Sequence, residues 1–316
     1  MLKSEKINTD NNKVNLRVFM PLIGFITLVI IFAILTNGKI IDPRNLKLML
    51  SQVYVLMIAA TGVWMVMTIG GLDFSQGAIL GLSSIIFCEF SQYSILLGVF
   101  LAVLAGAIMG AINGLFHVKF KIASFIVTIC TMYLFRGLCK FITTNGPIPA
   151  SLEVLALNVT WFKVLMTFIV LILGFFLIKF TRLGYDLKAI GAGEIASRFS
   201  GCRPNLLKFS VFVIAGAITG FASFINVIKV GSITGTAGSM LEIQLLISLV
   251  LGGMPINGGS KARFSNIVVG TLTYSILEKS LPMVFSVSAT QQLVKGIIFL
   301  IVVALTIDHE SLKVIK

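Results

Sequence analysis

Charged residues are scarce in this 316-residue chain: they make up 12% of the sequence, against about 25% in an average soluble protein. Hydrophobic residues account for 57%, and the mean hydropathy is +1.02. A soluble domain of this length could not bury so much apolar surface, and a disordered chain would carry more charge. A membrane-spanning helix needs about 20 residues, so the chain has room for about ten spans. The composition predicts a polytopic membrane protein.

The motifs of common enzyme sites are also missing. The glycine-rich stretch 252–261 lacks the Gly-Lys-Ser/Thr ending of a phosphate-binding loop, so a partner chain would have to hydrolyse any ATP. The separate His117 and His309 exclude an HExxH zinc site, and there is no Gly-x-Ser-x-Gly motif. The four cysteines form no CxxC or Cys/His cluster. We therefore expect no catalytic residue, disulfide, metal or cofactor in this chain.

Apolar segments, separated by charges and Gly/Pro clusters, follow one another along the chain. They cover 18–36, 48–69, 74–90, 94–117, 122–142, 161–180, 207–228, 243–256, 265–281 and 292–307. The third and the eighth are short for a straight span, which is typical of broken or re-entrant helices beside a polar path. The predicted fold is all-α and integral to the membrane, with about ten transmembrane helices, some of them short or broken.

The basic residues predict the orientation. If the N-terminus is cytoplasmic, 16 of the 25 Lys and Arg residues fall on the cytoplasmic side. They are Lys3, Lys6, Lys13, Arg17, Lys119, Lys121, Lys179, Arg182, Lys188, Arg198, Arg203, Lys208, Lys261, Arg263, Lys313 and Lys316. This places both termini inside and requires an even number of spans. It also explains the net charge of +13 without a nucleic-acid partner.

The domain organisation follows from these segments. We expect cytoplasmic tails at 1–17 and 309–316 around a single transmembrane domain at 18–308, which includes a cytoplasmic loop at 181–206. The apolar run from Phe19 to Leu35 has no small-residue cleavage site, so we interpret it as a retained first span.

The sharpest intramembrane candidate is Asp73, within the stretch 70–77, Gly-Gly-Leu-Asp-Phe-Ser-Gln-Gly. Ionisable groups within spans are costly and often functional. The glycines would allow unwound backbone, so one interpretation is a broken helix beside a transport path. The alternative is that Asp73 only caps the third helix. The two interpretations are compatible.

Arg136 and three glutamates are further charged candidates. Arg136, late in the fifth segment, either faces a polar cavity or extends to the outer interface, and we favour the interface. Glu89, Glu242 and Glu278 lie near predicted span ends, and we interpret them as interfacial.

Small residues predict one close helix contact. Gly106, Gly110 and Gly114 share a helix face with Asn113 nearby, and a similar pattern occurs at Gly216 and Gly220. Such spacing lets two helices approach closely, so packing is the favoured role.

The cytoplasmic loop contains a predicted short helix. Glu194 to Ser200 suits about two turns, with Gly201 as its C-terminal stop and Glu194 and Arg198 as an i,i+4 pair. Such a helix either docks a cytoplasmic partner or is an ordinary connector.

The ordered motifs resemble the permease subunit of ribose-type monosaccharide ABC importers, a family that also includes nucleoside and autoinducer-2 carriers. The resemblance covers about residues 46–308. It rests on Gly-Gly-Leu-Asp-Phe-Ser-x-Gly at 70–77, Ala-Ser-Phe-Ile-Val-Thr at 123–128 with Arg-Gly at 136–137, Thr-Asn-Gly-Pro at 144–147, Ala-Ile-Gly at 189–191, Ala-x-Arg-x-Ser-Gly at 196–201, Thr-Ala-Gly at 236–238, Glu242, Val-Leu-Gly-Gly at 250–253 and Gly-Gly at 258–259.

This resemblance implies a function and two sets of site residues. The chain would be the permease of an ATP-driven monosaccharide importer in a bacterial plasma membrane. The implied translocation-path residues are Gly70, Gly71, Asp73, Ser75, Asn113 and Arg136. The implied ATPase-coupling residues are Gly193, Glu194, Ala196, Arg198, Ser200 and Gly201. The implied partners are a cytoplasmic ABC ATPase that binds ATP and Mg, an extracytoplasmic substrate-binding protein, a second permease copy (identical or paired), a small sugar and membrane lipid.

Departures from the family pattern leave alternatives open. They occur at Gly193, Cys202, Ala262, Asn266 and the stretch 278–280, and they bear on the substrate and on ATPase docking. One alternative is an importer of nucleosides or another small polar solute. Another is an ion-coupled secondary carrier that uses Asp73. A third, an intramembrane enzyme, has no recognisable site.

Overall fold

The described part of the protein is mainly α-helical. The computed structural model describes residues 16–255, 258–259 and 262–306. The α-helices in this part of the chain are α1 Leu16–Leu35, α2 Pro43–Thr68, α3 Gln76–Ser91, α4 Ile95–Lys119, α5 Ser124–Ile142, α6 Leu152–Ala156, α7 Thr160–Phe180, α8 Arg182–Ala192, α9 Glu194–Phe199, α10 Pro204–Val230, α11 Leu241–Leu251, α12 Ser265–Val284 and α13 Ser288–Thr306. A 3₁₀ turn at Lys39–Ile41 precedes α2.

Each of the ten predicted apolar segments overlaps one of these helices. Five of them, α2, α4, α5, α7 and α10, are long and apolar enough to cross a membrane. By contrast, α11 has 11 residues and rises only about 16 Å, roughly half the thickness of a bilayer core. The predicted short eighth segment is therefore confirmed as a short helix. Most of the predicted tails, at 1–15 and 309–316, lie outside the described residues.

Helices α2, α3 and α10 form much of the interior of the molecule. In the most apolar stretch of α2, 83% of residues are buried, and in α10 the share is 67%, whereas in α7 it is only 22%. α10 packs against α2, α3 and α4, and α12 packs against α1, α2 and α11. The outer helices expose large apolar side chains such as Phe100, Phe168 and Leu300. This is the arrangement expected when lipid is the surrounding solvent.

Glycines bring α4 and α10 into backbone contact, as their spacing predicted. A Cβ added to Gly106 would lie 2.2 Å from the Gly216 carbonyl oxygen, and one added to Gly216 would lie 2.1 Å from the Gly106 carbonyl oxygen. Gly110 and Gly220 make similar contacts, with Phe212 and with the Ala102 carbonyl. Because no side chain fits between the two backbones, α4 and α10 are in direct contact, and this contact fixes the position of Asn113 on α4.

A small β-ribbon joins two connections. Strand β1, Ile148–Pro149, pairs antiparallel with strand β2, Ser232–Ile233, so that Ile148 faces Ile233. The all-α prediction did not include this ribbon, because two-residue strands have too little sequence pattern to detect. It connects the segment after α5 with the segment between α10 and α11.

Candidate translocation and docking sites

The chain leaves its helical path between α2 and α3. Gly70 adopts a left-handed conformation, with φ of 79°, and the chain becomes helical again at Gln76. Side chains at the start of α5 bond the freed backbone groups. Leu72 N–H donates to Ser124 Oγ at 3.0 Å, and Phe74 N–H donates to Thr128 Oγ1 at 3.1 Å. The predicted break between the second and third segments is therefore a packed, hydrogen-bonded turn.

Asp73 lies at the centre of this turn and is buried, with 1% exposure. One carboxylate oxygen accepts from Ser75 N–H at 2.9 Å and from Ser75 Oγ at 2.6 Å; the other accepts from Gln76 Nε2 at 2.6 Å. The simple helix-cap interpretation needs a correction, because Ser75 occupies the cap position and Asp73 lies two residues before it. Its carboxylate nevertheless accepts hydrogen bonds from Ser75 and Gln76 at the N-terminal end of α3.

The hydrogen bonds of Asp73 extend to three more helices. Asn113 Nδ2 on α4 donates to Ser75 Oγ at 2.7 Å, and Thr131 Oγ1 on α5 donates to Asn113 Oδ1 at 2.6 Å. On the other side, Thr219 Oγ1 on α10 donates to Gln76 Oε1. We call these six side chains, from Asp73 to Thr219, the Asp73 network. Each donor is directed toward an acceptor nearer the carboxylate, so the network ties α3 to α4, α5 and α10.

The structure brings together only part of the predicted path. Asp73, Ser75 and Asn113 share the network, and Gly70 and Gly71 form the turn beside it. Gln76 lies within the 70–77 stretch and Thr131 within the fifth apolar segment, but neither was predicted to be a site residue. Thr219 had no sequence signal, because its role depends on how α10 packs against α3. The path assignment of these residues stays a prediction.

Arg136 lies in a separate cluster with Glu242. Its Nη2 is 3.1 Å from both Glu242 carboxylate oxygens, and its Nη1 donates to Ser239 Oγ at 2.7 Å. The favoured interpretation expected the guanidinium to extend to the outer interface. In the structure it instead points to a carboxylate of α11. Glu242 itself is 6% exposed, and it forms a largely buried ion pair with Arg136, whereas its position near the membrane interface stays a prediction. Gly77 makes room for it: a Cβ there would lie 2.0 Å from Glu242 Oε2.

A polar cavity of about 200 Å³ lies between α2, α3, α10, α11 and α12. We call it the α10–α12 cavity. Its lining residues are Gln52, Val55, Leu56, Leu80, Asn226, Lys229, Gly238, Ser239, Leu241, Gln244, Tyr274, Ser275 and Glu278. None of the predicted path residues is among them, although Arg136 bonds to the lining Ser239. Glu278, one of the departures from the family pattern, contributes to the wall and accepts from Tyr274 Oη at 2.9 Å.

The predicted cytoplasmic helix is present as α9. Glu194 bonds Arg198 at 3.1 Å, as its i,i+4 spacing predicted, and also Lys208 at 2.7 Å. The hydrogen bond from Lys208 holds the pKa of Glu194 below its ordinary value. Gly193, where the family usually has Asn, is extended, with φ of 170°. The amphipathic helix immediately before it, α8, was not predicted from the sequence.

Gly201 ends α9 as predicted. Its φ is +85°, a region that L side chains rarely adopt. Gly201 N–H donates to the Arg198 carbonyl at 3.0 Å, and Cys202 N–H donates to the Ser197 carbonyl at 3.1 Å. This pair of bonds is the usual glycine-terminated helix end. It turns the chain back toward α10.

The α8–α9 segment exposes large side chains on its surface. Phe199 is 90% exposed, and Ile195 and Tyr185 are also mostly exposed. Arg198 and Ala196 lie among them on α9, and Ser200 is the C-terminal cap of that helix. A cluster of solvent-facing aromatic and apolar groups on a charged segment is typical of a protein-binding surface.

The other side of α8 contacts the turn before Asp73. A Cβ on Gly191 would lie 2.1 Å from the Thr68 carbonyl oxygen, which also accepts from Gly259 N–H at 3.0 Å. Thr68 is the last residue of α2 and precedes Gly70 by two positions. The α8–α9 segment is therefore in direct contact with the start of the Asp73 turn.

The residues that the structure describes also bear on metal binding. Across 16–255, 258–259 and 262–306, no group of three His, Cys, Asp or Glu side chains is placed to hold a metal ion. Cys88 and Cys139 are buried free thiols, and Cys130 and Cys202 are free as well.

Comparison with known proteins identifies the family. Residues 45–303 match the model of the branched-chain amino acid transport system permease component. The chain belongs to this permease family. No solved structure gives a significant match.

Curated relatives agree over nearly the whole chain. The ribose import permease protein of Bacillus subtilis (strain 168) is 32% identical, over 96% of this chain and 98% of its own length. The ribose import permease protein of Escherichia coli (strain K12) is 29% identical, over 91% and 93%. The L-arabinose ABC transporter permease protein of Azospirillum brasilense is 28% identical, over 85% and 81%. The resemblance to ribose-type ABC permeases is thus confirmed, and the permease is a multi-pass protein of the bacterial cell membrane.

Proposed function

We propose that the permease is the membrane-spanning subunit of an ATP-driven importer of a monosaccharide, a ribose-like pentose or a hexose, and that it works by alternating access. The observation that carries this proposal is the α8–α9 segment, which exposes Phe199 on one side and contacts Thr68 of α2 on the other. A docked ATPase could move the turn at Gly70 through this segment. The relatives named for ribose and arabinose import favour a sugar as the substrate.

The proposed topology has ten membrane helices with both termini in the cytoplasm. The ten are α1 to α5, α7 and α10 to α13, with α11 as a short helix that enters from the outer side. In this arrangement α8 and α9 are cytoplasmic, whereas the β1–β2 ribbon and α6 are outside. The basic residues on α8, α9 and the start of α10 support this orientation.

The proposed partners follow from the same scheme. A cytoplasmic ABC ATPase would bind ATP and Mg, because the permease has no phosphate-binding loop of its own. A substrate-binding protein would deliver the sugar from outside, and a second permease copy would complete the pathway. Gly193, Glu194, Ala196, Arg198, Ser200 and Gly201 would form the coupling helix, and Gly70, Gly71, Asp73, Ser75, Asn113 and Arg136 would lie beside the path.

The geometry of Asp73 disfavours an ion-coupled carrier. Its carboxylate accepts three hydrogen bonds and is 1% exposed, so an ion could bind only after those bonds break. An importer of nucleosides would use the same coupling segment. The identity of the transported solute would distinguish it from the sugar importer.

Co-purification with an ATPase tests the proposal. The tagged permease, extracted from its native membrane, should retain an ABC ATPase, and membrane vesicles with the binding protein should take up radiolabelled ribose, arabinose or fructose when given ATP. Phe199→Ala should weaken ATPase retention about 30-fold and lower uptake with it, because a buried aromatic anchor contributes about 2 kcal/mol at an interface.

Phe141→Ala is the matched control. Phe141 is also exposed, at 78%, but it lies at the end of α5 on the opposite side of the proposed topology. It should keep both the ATPase and the uptake. If no ATPase accompanies the wild-type chain, and collapse of the ion gradient rather than loss of ATP stops transport, the ABC proposal is wrong.

A further inference from the structure

The walls of the α10–α12 cavity differ in chemistry from the Asp73 network. Three side-chain amides line it: Gln52 on α2, Asn226 on α10 and Gln244 on α11. In the part of the chain that the structure describes, none of these amides is hydrogen-bonded to another protein group. An amide offers both donors and an acceptor, so three of them on different helices can bind several hydroxyl groups of one solute.

The remaining lining groups suit a polyhydroxylated solute. The hydroxyls of Ser239, Ser275 and Tyr274 add acceptor lone pairs, and Ser239 also keeps a proton to donate. Leu80 and Leu241 add an apolar surface for the C–H face of such a solute. The cavity measures about 200 Å³. Pockets for drug-sized ligands measure about 300–1,000 Å³, so this cavity matches a smaller molecule.

The charges in the wall favour a neutral solute over an anion. Glu278 presents a carboxylate to the cavity, and its Oε2 already accepts from Tyr274 and from Lys295 of α13. Lys229 contributes one positive charge to the same wall. Because Lys295 balances the Glu278 carboxylate, a solute with a phosphate or a carboxylate would find one uncompensated cation, Lys229, in return for the hydration that it loses on entry.

The cavity is also tied to the helices that hold the Asp73 network. A Cβ on Gly77 of α3 would lie 2.3 Å from the Gly238 carbonyl oxygen, and one on Gly81 would lie 2.7 Å from the Ala237 carbonyl oxygen. Arg136 holds the lining Ser239 by a hydrogen bond of 2.7 Å. Any displacement of α3 would therefore change the shape of the cavity wall.

We propose that the α10–α12 cavity is a binding subsite for a neutral, polyhydroxylated solute of monosaccharide size, and that Gln52, Asn226 and Gln244 determine its specificity. This inference rests on the proposed function, because it assumes that a sugar passes through the permease. In the proposed topology, Gln52, Asn226 and Glu278 lie in the outer halves of α2, α10 and α12. The subsite would then receive the solute from the outer side.

Thiol labelling tests the subsite without relying on transport. In the assembled complex, with Cys130 and Cys202 replaced by Ser, Asn226→Cys should react with a membrane-impermeant methanethiosulfonate added outside. Saturating ribose, arabinose or fructose should slow this reaction about ten-fold, whereas ribose 5-phosphate should not. Tyr93→Cys is the control. Tyr93 is 80% exposed at the turn between α3 and α4, so the sugar should not change the rate at which this cysteine is labelled.

An uptake assay supplies the second measurement. Gln244→Leu should lower sugar uptake about ten-fold while the ATPase still co-purifies, because the lost amide leaves solute hydroxyls without partners. Gln292→Leu, at an exposed glutamine of α13 outside the cavity, is the matched control and should transport normally.

The outcomes separate the subsite from the function. If the wild-type complex takes up sugar but Gln244→Leu does so equally well, and no sugar protects Asn226→Cys, the subsite is overturned while the importer stands. Protection by ribose 5-phosphate but not by the neutral sugars overturns the solute class. If the wild-type complex takes up no neutral sugar, both the proposed function and the proposed subsite are wrong.

Discussion

Around Asp73, hydrogen-bonding side chains are buried and satisfy one another, whereas along α8 and α9 large side chains are exposed on the surface. Ser75, Gln76 and Asn113 are each fully buried, and every one donates toward the carboxylate side of the network. In α9, Phe199 is 90% exposed, and the ion pairs of Glu194 lie at the surface. The first region fixes four helices against each other, and the second leaves a surface open for a partner.

This difference between the buried and the exposed region indicates how a movement at the surface could reach the Asp73 network. A fully bonded, close-packed region moves as one body, because partial displacement would leave buried polar groups unpaired. A partner protein can bind an exposed segment without such a cost. The contact of Gly191 with the Thr68 carbonyl joins the two regions, so a movement of α8 would displace the Asp73 turn as a unit.

The largest expected effect is at the contact of α4 and α10, which supports the rigid region. Gly216→Ala would place a methyl group 2.1 Å from the Gly106 carbonyl oxygen, and the two backbones would have to separate. We expect a loss of about 3 kcal/mol or more, at or above the upper end of overpacking costs. The measurement is the temperature at which the purified protein loses its monodisperse elution in detergent.

Gly137→Ala is the control for that substitution. Gly137 is also a helical glycine, but a Cβ there would have no heavy atom within 4 Å. Alanine should be neutral or stabilising by up to about 1 kcal/mol through helix propensity. Equal melting of the two variants would show that the α4–α10 contact is not as close as the structure indicates.

The next effect in size is at the Asp73 network. Asp73→Asn keeps the shape but turns one acceptor into a donor, which would face the amide nitrogen of Gln76. We expect a loss of about 2 kcal/mol in stability, the cost of a buried unsatisfied group, with a matching fall in transport. Thermal melting and sugar uptake measure the two effects.

A double variant tests whether geometry or charge is responsible. Asp73→Asn combined with Gln76→Glu exchanges the amide and the carboxylate between the two positions. The amide at position 73 then donates to the carboxylate at position 76, which also accepts from Thr219 on α10. Stability should largely return if Asp73 positions α3. A double variant as unstable as the single one contradicts this role, and restored stability without transport would indicate a separate function for the carboxylate.

The sequence predicted elements whose cause is local. Each apolar segment located a long or short helix, because lipid requires continuous hydrophobicity. Gly201 predicted the end of α9, and Gly106 and Gly216 predicted a close contact, because few other residues satisfy those backbone positions. Glu194 and Arg198 pair because their spacing is set by the helix itself.

The remaining contacts depend on tertiary packing and could not be predicted. Arg136 meets Glu242 across 106 residues of sequence, and Gln76 meets Thr219 across 143. The cavity is formed by five helices, and no local pattern marks Gln52 or Asn226 as neighbours. One sequence cannot indicate which polar residue of one helix faces which residue of another.

The smallest expected effect is in the exposed α8–α9 segment, where Glu194 is the testable group. Lys208 holds its pKa below the ordinary value, so the ion pairs are complete above that ordinary value and are lost as pH falls through the lowered one. Because the Glu194 side chain is 36% exposed, solvent screening limits the loss to below about 1 kcal/mol.

Hydrogen exchange of the α9 amides, corrected for intrinsic rates, should therefore quicken about two- to five-fold between neutral pH and about pH 3. Glu194→Gln should remove this pH dependence, whereas the α10 amides buried against α4 should stay protected in both proteins. A pH response that persists in Glu194→Gln would assign the effect to another group and leave α9 held by its glycine end alone.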